Sequence, residues 1–170
     1  IASRDYGSAA APKVVEAWRI WSEAFRSYVP TDEDQYGPFR IGPSYPLLFP
    51  EEHVEIPSAD HAHFGARIVT TPYRPHDPSI VEGEVRLLEK LADGWARGLE
   101  ELASCAAAVP EAKRPRHLEL ARLGQFILRA VSTTIHVKRW YLLHRALAAA
   151  AAKPAEQRRT LGAMLALGRE

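Results

Sequence analysis

The sequence predicts a mainly α-helical protein: an antiparallel bundle of three long helices plus a C-terminal helix, with a long proline-rich ordered loop after the first helix. Three observations carry this expectation. Val81, Val85, Leu88, Ala92, Trp95, Leu99, Leu102 and Ala106 keep an unbroken 4-3 spacing, which draws one buried seam down a helix. From Pro115 onward apolar residues fall on more than one face, as they do on the central helix of a bundle. Nine of the 13 prolines lie between Val29 and Pro78, where no helical period is sustained.

The first helix is expected over residues 8–28. Ser8 is a suitable N-cap, and Pro12 falls early enough to be tolerated in the opening turn. Val14, Trp18, Trp21, Phe25 and Tyr28 step by four and three along one stripe, which reads as core before it reads as a sugar platform. Pro30 ends the helix.

The loop, residues 29–78, is organised around Val29–Pro50, which reads VPTDEDQYGPFRIGPSYPLLFP. Its prolines and two Gly-Pro steps exclude a helix, and between them lie Asp32, Glu33, Asp34, Tyr36, Phe39, Arg40 and Tyr45. Two readings stand side by side. One is a wall that meets a polar ligand with stacking rings and charged groups; the other is a connector that packs its aromatics on the helices. Loops beyond about 15 residues are uncommon in compact domains, so an ordered one needs something to lie against. Residues 63–71 are compatible with one or two short strands.

The remaining helices are expected over 79–108, 115–152 and 155–168. Gly83, Gly94 and Gly98 either weaken the second helix or admit a close neighbour. Leu118, Leu123, Phe126, Val131 and Ile135 are among the apolar residues of the third. Leu161, Met164, Leu165 and Leu167 are expected to face inward from the last.

Composition narrows the class. Hydrophobic residues make up 46% and charged residues 25%, which is ordinary for a globular domain. No apolar run of about 18 residues suggests a membrane span, and the first residues lack a signal-peptide pattern. The single Cys105 excludes an internal disulfide, leaves the compartment undetermined and is compatible with the cytoplasm. The chain opens on Ile1 and has only Met164, so the expectation is one helical domain, 1–170, excised from a longer protein. Residues 1–110 carry 10 basic and 17 acidic side chains, a balance of −7, whereas residues 111–170 carry 12 and 4, a balance of +8. With the basic groups dispersed along helices, the two parts are expected to dock on each other, not to bind nucleic acid.

Reactive constellations are sparse. His61 and His63, with His53 and Asp60, match no strong metal-site spacing, and Asp32-Glu33-Asp34 lacks the glycine and distal glutamate of a calcium loop. There is no Gly-x-Ser-x-Gly elbow, phosphate loop or dinucleotide fingerprint, and Cys105 reads as a small buried residue. No cofactor and no catalytic residue is assigned.

Several segments nevertheless form a pattern. Tyr6-Gly7 with Ala9, Ala10, Val14, Val15 and Ala17-Trp18 resembles the first helix of the helical regions that follow (β/α)8 barrels in hexosaminidase-like and α-glucuronidase-like glycoside hydrolases. Trp18-x-x-Trp21-Ser22-x-Ala24-Phe25, Tyr36-Gly37-Pro38, Gly42-Pro43-Ser44-Tyr45-Pro46 and Thr133–Trp140 resemble uncharacterised bacterial proteins of that type. The resemblance implies a helical domain behind a catalytic barrel, with the catalytic acids on the barrel and none here. It implies that the loop lines a carbohydrate pocket, with Asp34, Tyr36, Arg40 and Tyr45 as the substrate-binding residues. Two alternatives remain: a helical interaction module binding a protein through the 81–106 seam, and a small stand-alone enzyme using the loop carboxylates or the histidines.

Overall fold

The structure, a computed structural model, describes residues 1–28 and 78–169. Those residues are mainly helical, with no strand among them. Five α-helices are present among the described residues: α1 (Ala2–Tyr6), α2 (Ala11–Phe25), α3 (Pro78–Ser104), α4 (Arg114–Ala149) and α5 (Pro154–Leu167). Two short 3-10 turns, Ala106–Ala108 and Glu111–Lys113, join α3 to α4. The expected loop and its candidate strands lie outside the described residues. The chain divides into two compact units, residues 1–29 with 87–132 and residues 30–86 with 133–170.

In the first unit the chain opens differently from expectation. Ser8 caps no helix; α2 starts at Ala11, with Pro12 in its opening turn, and a separate helix α1 precedes it. The break between them is Gly7, at φ 93°, a left-handed conformation that costs a side chain dearly. A Cβ there would also lie 2.6 Å from Pro110 Cδ, so this turn requires glycine twice over.

α1 is then tied down. Asp5, only 8% exposed, is paired with Arg4 at 2.7 Å and with Arg116 at 3.5 Å. Lys113 Nζ donates to the Ser3 carbonyl, and Tyr6 meets Trp18 edge to face at 6.0 Å. The hydrogen bond from Arg4, and then the charge of Arg116, hold the Asp5 carboxyl below its ordinary range against the opposing effect of burial. A depressed folded pKa gives stability that is present above the unfolded value and is lost as pH falls through the folded one. Asp5→Asn is therefore expected to lower stability at neutral pH and to lose that difference in acid. Urea midpoints measured down the acid range check this; a constant difference at every pH would contradict it.

The stripe of α2 that enters the core is Val14, Ala17, Trp21 and Ala24, continued by Ala10 just before the helix, all at most 8% exposed. This corrects the expected stripe: Phe25 is 49% exposed, and Trp18 is only half-buried. The rotation follows from close approach. Gly94 faces Ala24 and Gly98 faces Trp21, so the small residues of α2 set its contact face. On α3 the seam agrees with expectation at Val81, Val85, Leu88, Trp95 and Leu102, with Leu91 also buried. The helix ends at Ser104, short of the expected residue 108, so Cys105, just past its end, is buried while Ala106 is exposed in the 3-10 turn.

α4 departs most from expectation. His117, Gly124 and Val131, seven residues apart, are its buried line in the first unit, while Leu118, Leu123 and Phe126 are 48%, 55% and 67% exposed. The N-terminal half of this helix is thus not surrounded by core. In the second unit Val81, Val85, Ile135, Val137 and Met164 are buried, and Lys138 pairs with Glu84 at 2.8 Å with both side chains mostly shielded. On α5, Met164 is buried but Leu161 and Leu165 are exposed, contrary to the expected inward set. The Asp5–Arg116 and Glu84–Lys138 pairs each join the acidic to the basic part of the sequence, whereas Lys13–Glu101 lies within the acidic part.

Candidate functional site

The four residues proposed from sequence to meet a carbohydrate, Asp34, Tyr36, Arg40 and Tyr45, lie outside the described residues. So do Asp32, Glu33, His53, Asp60, His61 and His63. Among the described residues no group of three or more His, Cys, Asp or Glu side chains could hold a metal ion, and no helix is long and apolar enough to cross a membrane.

Three features of the first unit remain as candidates. The first is a tryptophan pair. Trp21 from α2 and Trp95 from α3 stack with ring centroids 5.1 Å apart and planes 13° from parallel. Each indole donates to a backbone carbonyl, Trp21 to Trp95 at 3.0 Å and Trp95 to Gly124 at 2.9 Å. Both are at least nine-tenths buried. With both N–H groups satisfied and both faces covered, the pair is core, and no ring is offered to a sugar.

The second is Cys105 beside His117, brought together where α3 ends and α4 begins. Sγ lies 3.8 Å from Nε2, a separation that invites comparison with a thiol–imidazole dyad. The hydrogen bonding answers otherwise. His117 Nε2 is 3.0 Å from the Leu102 carbonyl, which only accepts, so that nitrogen carries the proton and cannot take one from sulfur. The thiol donates to the same carbonyl at 3.1 Å, and burial pushes its pKa up. Cys105 is therefore a protonated structural thiol, as its surroundings in the sequence suggest. A thiol reagent such as Ellman's is expected to leave it untouched in the native protein and to titrate one thiol after denaturation. Stoichiometric labelling of the folded chain would reverse that assignment.

The third is the outward face of α4. Leu118, Leu123 and Phe126 are exposed, away from the buried His117–Gly124–Val131 line, and share that side of the helix with exposed Glu119 and Arg122. Sequence reading missed it because Leu and Phe on a long apolar helix pass for core. The informative signal was Gly124: a Cβ there would lie 2.8 Å from Leu99 and 3.1 Å from Trp21, so the helix turns its smallest residue inward and its larger ones out. By contrast, Trp95 and Leu99, the seam considered for partner binding, are engaged within the first unit.

No protein-family model, curated protein or solved structure matches the chain.

Proposed function

We propose that the chain is a non-catalytic helical domain of a glycoside-hydrolase-like protein, an antiparallel bundle of three long helices and a C-terminal helix that buttresses a catalytic (β/α)8 barrel. The order of side-chain meetings in the first unit supports the antiparallel arrangement. Lys13 reaches Glu101 while Ala24 faces Gly94, and Leu102 accepts from His117 while Trp95 reaches Gly124.

The observation that carries the buttressing role is the exposed apolar face of α4 at Leu118, Leu123 and Phe126. Fully burying a Leu or Phe side chain is worth about 1.5–3 kcal/mol, so large apolar side chains left exposed near one another favour association. A barrel wall covering the three would recover part of that free energy. The same face also suits a separate protein partner, the interaction-module reading moved from the internal seam of α3 to the surface of α4.

The carbohydrate part of the proposal rests on residues 29–50, with Asp34 and Arg40 as charged hydrogen-bonding groups and Tyr36 and Tyr45 as stacking rings. Calorimetric titration with monosaccharides tests it. Tyr36→Ala and Arg40→Ala are each expected to weaken binding about tenfold, equivalent to about 1.4 kcal/mol. Unchanged affinity in both variants would remove these residues from the pocket.

A further inference from the structure

We draw no further inference here: the strongest candidate, the outward face of α4 that carries Leu118, Leu123 and Phe126 beside Arg122, belongs to the docking surface already proposed, and nothing in the structure shows what covers it.

Discussion

Trp95→Ala is expected to remove about 3–5 kcal/mol of stability, the range for truncating a large buried aromatic, from a total that is about 5–15 kcal/mol for domains of this kind. Three losses coincide at this position. The ring leaves a cavity where it was 8% exposed, Trp21 loses its stacking partner at 5.1 Å, and the hydrogen bond to the Gly124 carbonyl disappears. Trp95→Phe keeps much of the apolar contact and forfeits the indole N–H, so its loss should be smaller, about 1–2 kcal/mol. Urea unfolding followed by far-ultraviolet circular dichroism separates the two through their midpoints. A Trp95→Ala variant within about 1 kcal/mol of the parent would mean that the pair does not anchor the core.

Gly98→Ala should show the opposite of the usual helix rule. In an exposed helix interior this substitution gains about 1 kcal/mol, because glycine costs backbone entropy that alanine does not. Here the new methyl group would fall on Nε1 and Cδ1 of Trp21, inside a van der Waals contact that cannot give without moving the stacked pair. Overpacking costs about 1–3 kcal/mol, and displacing the indole also strains its hydrogen bond to the Trp95 carbonyl. A net destabilisation of about 1–3 kcal/mol is therefore expected. Gly162→Ala is the matched control, since nothing lies within 4 Å of the position on α5, and it should stabilise by about 0.5–1 kcal/mol. The clash belongs to one ring, so placing Gly98→Ala in a Trp21→Phe background should be less harmful, with a coupling of about 0.5–3 kcal/mol. A stabilised Gly98→Ala protein would contradict the close approach of α2 to α3.

These two positions also show what the sequence can and cannot disclose. The mainly helical class was legible because Val81 through Leu102 keep one period over many turns, and because Pro30, Pro110 and Pro154 mark the ends of helical runs. The sequence also offered close packing as one reason for Gly94 and Gly98. What remained hidden was rotation about each helix axis. In α2 the hydrophobic scale favours Trp18 and Phe25, yet packing against glycine favours Ala17 and Ala24, and complementarity of volume prevailed. In α4 the same logic turned Gly124 and His117 inward and left Phe126 outside. Helix α1 was missed because five residues show no period; its evidence is an ion pair and a left-handed glycine, neither of which a pattern search weighs. The candidate site was least legible of all. Asp34, Tyr36, Arg40 and Tyr45 were chosen from the chemistry of their side chains and lie outside the described residues, whereas the apolar face of α4 needs three-dimensional placement before it can be seen as exposed.

Hydroxyl-radical footprinting of Leu118, Leu123 and Phe126 bears most directly on the docking role. The labelling would be compared between the isolated 170-residue chain and the complete gene product. The expected result is strong modification of all three in the isolated chain and protection in the gene product, with exposed Val15 labelled alike in both as the internal reference. Equal modification of the α4 face in the two samples, or a gene that encodes these residues alone, would contradict a domain that packs against a barrel.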